Sequence, residues 1–194
     1  MNPMAREACT PAAFERLYQG KWDPWDFRTS TYERNRYQAT LDALDRSRYQ
    51  FAFEPGCSIG ELTALLAPLC ADLLATDVSR TAVERARKRC AMFSHVRFEC
   101  DDLRRVTFNI APDLIVLSEI AYYFDATELA ELAHRLYAQL SAGGTLIAVH
   151  WLGKSADHIL HGDEAHEVLL ETLPRRCQTG ARHTRFRIDR WTRA

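Results

Sequence analysis

Hydrophobic and polar positions along the chain follow two rhythms. Up to residue 48 the apolar residues recur at helical spacing. Thr10-Pro11 opens a first helix, with Thr as the cap and Pro at the first helical position, where its missing N–H is harmless. Phe14, Leu17 and Tyr18 share a face of it, and Gly20 ends it. Ser30-x-x-Glu33 is a capping box that opens a second helix, with Tyr37, Leu41 and Leu44 on one stripe. After Ser47 short apolar runs take over. Strands are predicted at 49–53, 72–76, 96–99, 114–117 and 145–149. The run Leu114-Ile115-Val116-Leu117 is typical of a strand covered on both faces. Helices are predicted from Leu62 to Pro68 and over 81–90, 125–140 and 163–173. The alternation of Thr184, Phe186 and Ile188 with Arg185, Arg187 and Asp189 predicts one final strand.

Strands alternating with helices specify βαβ units and a Rossmann-like, doubly wound, mainly parallel sheet with helices on both faces. A chain of 194 residues, 47% of them hydrophobic, suffices for one such domain and is short for two. Residues 1–48 are read as an N-terminal helical cover with an aromatic lid loop, and 49–194 as the ligand-binding core. Ligands of such sheets lie beyond the carboxyl ends of the strands, so the residues just after each strand are the candidates for chemistry.

Composition narrows the classes. With a net charge of −1 nothing calls for nucleic acid or an anionic membrane surface. The seven Arg from Arg175 onward are balanced by Asp157, Asp163, Glu164, Glu167 and Glu171 just before them. Six cysteines without a C-x-x-C read as reduced core thiols of a cytoplasmic protein. Residues 1–19 hold no apolar leader segment, and no apolar run approaches the length of a membrane span.

The first strand leads into Glu54-Pro55-Gly56-Cys57-Ser58-Ile59-Gly60 and then a helix. Glycines there let backbone approach a ligand, and a helix start offers free N–H groups. A phosphate cradle would need Lys after Gly60. A dinucleotide fingerprint would need glycines where Ser58 and Thr63 stand. Gly56-x-Ser58-x-Gly60 fits a nucleophile elbow, with His150 as a base, although no oxyanion-hole segment precedes it. S-adenosylmethionine fits better. Glu54 ends the first strand; Asp77, 23 residues on, ends the second and can accept from both ribose hydroxyls. Asp101-Asp102-Leu103 follows the third strand, with an acid and an apolar residue for adenine.

Ser118-Glu119-Ile120-Ala121-Tyr122-Tyr123 after the fourth strand and His150-Trp151 after the fifth lie where an acceptor would meet a methyl group. Alignment supplies much of the acceleration in such in-line attacks, about 7–11 kcal/mol in well-oriented systems. Glu119 and His150 are candidates for holding the acceptor or taking its proton. The loop at 22–27 concentrates aromatics that attract cations and stack on sugars, as a lid or as a hydrophobic brace. His158, His161 and His166 with Asp163 lack the spacing of a tight metal site, so they read as structural or substrate-side histidines and no metal is expected.

These motifs, Glu54 to Gly60, Asp77-Val78-Ser79 and Asp113 to Glu119, resemble those of class I methyltransferases. A more specific resemblance, over about residues 18–191, is to the nodulation protein S group. It is carried by Asp23-Pro24-Trp25-Asp26-Phe27, Ser30-Thr31-Tyr32-Glu33, Tyr122-Tyr123, His150-Trp151 and Gly162-Asp163-Glu164-Ala165-His166. The resemblance implies N-methylation of the free amine on the non-reducing glucosamine of a partly deacetylated chitooligosaccharide, in lipo-chitooligosaccharide synthesis. Under it the cofactor set is Trp25, Tyr32, Glu54, Gly56, Cys57, Gly60, Asp77, Val78, Asp101, Asp102, Leu103 and Glu119. Trp22, Tyr122, Tyr123, His150, Trp151 and Asp163 face the oligosaccharide, and Glu119, His150 and Tyr122 carry the chemistry. A small-molecule O-methyltransferase, a serine hydrolase using Ser58, and a cofactor-binding interaction module stay open as alternatives. Class I sheets close with two strands after the last helix; only one is predicted here.

Overall fold

The computed structural model describes residues 7–174 and 178–194. Cys177, Arg175 and Arg176 lie outside the described residues, as do residues 1–6 of the stretch expected to lack a leader. The chain forms two compact units, Thr10–Thr107 and a second made chiefly of Phe108–Ala194.

In the first unit, helix α1 (Pro11–Gly20) is capped by Thr10, whose hydroxyl accepts from Ala13 N–H at 3.2 Å. Helix α2 (Thr31–Asp42) is capped by Ser30. Its buried face is Glu33, Arg36, Tyr37 and Thr40, not the expected Tyr37, Leu41 and Leu44 stripe. Arg36 is 1% exposed and can be buried because Glu33 pairs with it and the Tyr37 ring lies 5.0 Å away. Strand β1 (Tyr49–Pro55), helix α3 (Glu61–Leu66), β2 (Cys70–Asp77), α4 (Arg80–Arg89) and β3 (Val96–Cys100) follow. The strands run parallel in the order β3-β2-β1. Cys57 and Cys90 pack with Ala75, Val83, Ala86 and Phe98, so these thiols are core residues.

The second unit holds β4 (Leu114–Ser118), α5 (Ala126–Gln139), β5 (Thr145–Trp151), α6 (Gly162–Thr172), β6 (Gln178–Arg182) and β7 (Phe186–Thr192). Asp125 caps α5, accepting from Glu128 N–H at 3.0 Å. Leu129, Leu132, Ala133 and Leu136 form its buried stripe at helical spacing. β4 and β5 are parallel; β7 is antiparallel to both β5 and β6, giving the order β4-β5-β7-β6. Two strands therefore follow the last helix, correcting the single one expected. β6 has no apolar alternation and is mostly exposed, so its pairing with β7 makes it a strand. β5 also runs two residues further than expected, so His150 and Trp151 pair in the sheet with Arg187 and Phe186 instead of following it.

Candidate functional site

The loop after β1 is held by backbone bonds and one carboxylate. Cys57 N–H donates to Thr76 O at 2.9 Å, and Gly60 N–H to Cys57 O at 2.9 Å. Asp77 Oδ2 accepts from Ser58 N–H at 3.0 Å and Oδ1 from Ser79 N–H at 2.9 Å. Gly56 and Gly60 have φ of 72° and 84°, and Ser58 has 52°, a left-handed conformation that costs a side-chain residue about 1–2 kcal/mol. At Gly60 a Cβ would also stand 3.0 Å from Ala86 Cα, so a side chain there would press on α4.

Two carboxylates close this loop. Burial pushes Glu54 up to about 8, against a hydrogen bond from Thr63 and with the Asp77 charge, and Glu54 Oε2 is buried without a partner. Burial pushes Asp77 up to about 6, against the Ser79 and Ser58 amides. Two buried acids beside a glycine-lined backbone suit a ligand that brings hydrogen-bond donors. Asp101 N–H donates to Asp77 O at 3.1 Å, which brings the third strand end to the second. Asp101 and Asp102 are organised locally: Asp101 accepts from Asp102 N–H, and Asp102 holds the Arg104 guanidinium at 3.2 Å. Leu103 is buried, and Val78 is half-buried with its carbonyl accepting from the Cys100 thiol.

Helix α1 covers this end of the unit. Tyr18 donates to Ser58 Oγ at 2.7 Å, so the hydroxyl expected of an elbow nucleophile is held by a phenol and not by an imidazole. Glu15 accepts from the Ser79 and Thr81 hydroxyls at 2.6 Å each; partial burial raises its carboxyl, and these donors outweigh that and bring it down to about 2. Trp25 packs on Tyr18 with ring centroids 5.6 Å apart and joins the Tyr18, Ile59 and Ala82 cluster. Tyr32 is half-buried in the first turn of α2. Trp22, expected at the oligosaccharide, is 48% exposed and lies between the Arg28 and Arg85 guanidinium groups.

In the second unit, Glu119 follows β4 with φ of 57°. Three consecutive β5 residues clamp the turn that it begins. Glu119 N–H donates to Val149 O at 2.9 Å, Ala121 N–H to His150 Nε2 at 3.0 Å, and Trp151 N–H to Glu119 Oε1 at 2.7 Å. Tyr122 donates its phenol to Glu119 Oε2 at 2.6 Å. Around this carboxylate stand aromatic rings. His158 stacks on Tyr122 at 3.7 Å, Tyr123 meets Tyr122 edge-on at 4.9 Å, and Trp151 meets His158 at 6.1 Å. Burial pulls the His158 imidazole below its ordinary value, against Asp157 and Glu119.

His150, expected to take a proton, is 0% exposed, with one ring nitrogen on Ala121 and the other on His166. Asp163, expected at the oligosaccharide, is bonded to Arg182 at 2.7 Å, and that hydrogen bond, with the guanidinium charge, lowers its pKa. Among the described residues no His, Cys, Asp and Glu cluster is arranged to hold a metal ion. Sequence reasoning left His158 and His166 as structural or substrate-side histidines and gave them no partners; neither a stacking partner nor a burial depth is written in local spacing.

Comparison with known proteins shows the family. Residues 15–193 match the sequence family of nodulation protein S. The nodulation protein S of Bradyrhizobium diazoefficiens is 34% identical over 172 residues, covering 82% of this chain and 80% of that one. That of Sinorhizobium fredii is 30% identical over 156 residues, covering 78% and 72%. The crystal structure of the N-methyltransferase NodS of Bradyrhizobium japonicum with S-adenosylhomocysteine superposes with a TM-score of 0.79 at 23% identity, over 97% of this chain and 98% of that one. The fold is therefore the Rossmann-like fold of class I methyltransferases, and the chain belongs to the nodulation protein S (NodS) family.

Proposed function

We propose that the chain transfers a methyl group from S-adenosylmethionine to the free amine of the non-reducing glucosamine of a partly deacetylated chitooligosaccharide, in the cytoplasm, as a step in building a lipo-chitooligosaccharide signal. It is an S-adenosylmethionine-dependent N-methyltransferase. The observation that carries the reading is the Glu119 turn: a clamped carboxylate with a phenol on it, walled by Tyr123, Trp151 and His158. A carboxylate among aromatic faces suits an amino sugar, because the acid attracts the ammonium and the rings stack on the pyranose.

The cofactor supplies an electrophilic methyl on a sulfonium. The residues present fit it: the loop from Gly56 to Gly60 offers backbone at close range, Asp77 offers its carboxylate to the ribose hydroxyls, and the unpartnered Glu54 Oε2 gains a hydrogen-bond donor. Asp101 and Leu103 serve the adenine. The ammonium first gives one proton to solvent, and the free amine then takes the methyl with its lone pair as the carbon–sulfur bond breaks, leaving neutral S-adenosylhomocysteine. Glu119 orients the amine by accepting from its N–H groups, Tyr122 fixes the carboxylate, and the rings stack on the sugar.

The test is methyl transfer from labelled S-adenosylmethionine to chitotetraose with and without a free terminal amine. Methylation of the deacetylated substrate alone is expected. Equal labelling of both, or labelling at oxygen, overturns the amine reading and returns the O-methyltransferase alternative.

A further inference from the structure

Polar residues of β5, β6, β7 and α6 form a buried chain that ends at the Glu119 turn. Its direction follows from counting donors. Ala121 N–H donates to His150 Nε2, so that nitrogen carries no proton. The neutral ring's proton is therefore on Nδ1, 3.1 Å from His166 Nε2. His166 then carries its own proton on Nδ1 and donates to Asp189 Oδ2 at 2.6 Å. Both rings are 0% exposed and Asp189 is 2% exposed. Asp189 also accepts from Gln178 Nε2 and from Arg187 Nε, each at 2.7 Å.

The register makes room for this chain. Asp189 lies between Ala148 on β5 and Gly180 on β6. A Cβ on Gly180 would stand 2.0 Å from Asp189 Oδ1. Two neighbouring strands thus give up side-chain volume at the position where the acid turns toward α6. A packed apolar layer would serve stability equally well, so a buried polar chain of this completeness indicates a requirement for one defined geometry.

We propose that Asp189, His166 and His150 are positioning residues: the relay locks His150 in one tautomer as a fixed acceptor for Ala121 N–H, and so sets the turn that aims Glu119 and Tyr122 at the acceptor amine. The aim at an amine rests on the function proposed above; the relay itself rests on the geometry. Of the three β5 bonds that clamp the turn, this is the one to which β5 contributes a side chain, and its ring is oriented by His166 of α6 and, through it, by Asp189 of β7. Protonating His150 at Nε2 would set a donor against a donor and release Ala121. The charged and titratable groups facing the relay are Arg187 and Asp189 of β7, Asp163 of α6, bridged to Arg187 at 3.6 Å, and Tyr122 against the His150 ring.

The experiment compares the full chain with His166→Gln, which keeps an acceptor for His150, and His166→Phe, which removes it. Turnover on deacetylated chitotetraose, its pH profile, S-adenosylhomocysteine affinity, nitrogen-15 histidine spectra and Ala121 amide exchange are measured. The Phe variant is expected to lose roughly a hundredfold in kcat with unchanged cofactor affinity, a loss on the scale of a misplaced catalytic group. Gln recovers most of that loss. In the wild type His150 shows the Nδ1–H tautomer, and Ala121 exchanges faster in the Phe variant. Wild-type kcat in His166→Phe overturns the relay, as does an Nε2–H tautomer at His150. A parallel fall of kcat and cofactor affinity without recovery in Gln also overturns it, because packing alone would do that. If His166→Phe does not fold, Asp189→Asn takes its place with the same expectations. If the wild type methylates no amine, the proposed function fails and the tautomer and the Ala121 exchange decide the relay alone.

Discussion

Asp77 offers a perturbation that removes no side chain: pH. Burial holds its carboxyl at about 6, well above its ordinary 3.8. Ribose hydroxyls are donors, and they bind the ionised form more strongly than the protonated one. Cofactor affinity should therefore rise with pH through 6. With a pKa of about 6, the ionised fraction falls from nearly all at pH 8 to about a tenth at pH 5, weakening S-adenosylhomocysteine binding about tenfold, or about 1.4 kcal/mol. Substitution is a blunter tool here, because Asp77 also accepts from Ser58 and Ser79. Asp77→Ala strands two buried amides, at about 1–3 kcal/mol each, and mixes that cost with the lost ribose bonds. Calorimetric titration from pH 5 to 8, in buffers of different ionisation enthalpy, separates the two: proton release on binding should peak near pH 5–6 in the wild type and vanish there in Asp77→Asn. A flat affinity across this range, or an unaltered profile in Asp77→Asn, refutes Asp77 as the ribose acceptor and leaves it as a loop cap.

The remaining predictions concern Glu54, Glu119 and Gly60. Glu54 has a folded pKa of about 8 against 4.5 unfolded, so its contribution to stability is complete below about 4.5 and is lost as pH rises through 8. Glu54→Gln should thus stabilise the cofactor-free protein at pH 7 by about 3 kcal/mol and leave it unchanged near pH 4, read by urea unfolding; equal stability at both pH values would contradict the buried, protonated acid. Glu119→Gln should lower kcat about a hundredfold with cofactor affinity unaltered, read by turnover and calorimetry together, since it disturbs alignment at the acceptor. Gly60→Ala should cost about 1–3 kcal/mol in unfolding free energy, from a left-handed φ and a Cβ pressed on Ala86; a loss below the error of the measurement would mean that the loop relaxes freely.

The sequence by itself determined what local rules write. Caps at Thr10, Ser30 and Asp125, the glycine loop and the buried apolar runs are decided within a few residues, so the βαβ order and the acids at the strand ends were legible. Tertiary structure decided the rest. β6 has no pattern of its own and becomes a strand by pairing with β7. The buried face of α2 is polar because Arg36 finds Glu33 and Tyr37 there. His150 changed most. Spacing made it a strand-end base, but β5 extends past it, and a fully buried ring with both nitrogens bonded cannot receive an acceptor's proton directly. Its partners stand 16 and 29 residues away in sequence, and Asp189 lies a further 23 beyond His166. No local period encodes such separations. Only the register of β5, β6 and β7, which sets Ala148 and Gly180 on either side of Asp189, brings these residues into one hydrogen-bonded line.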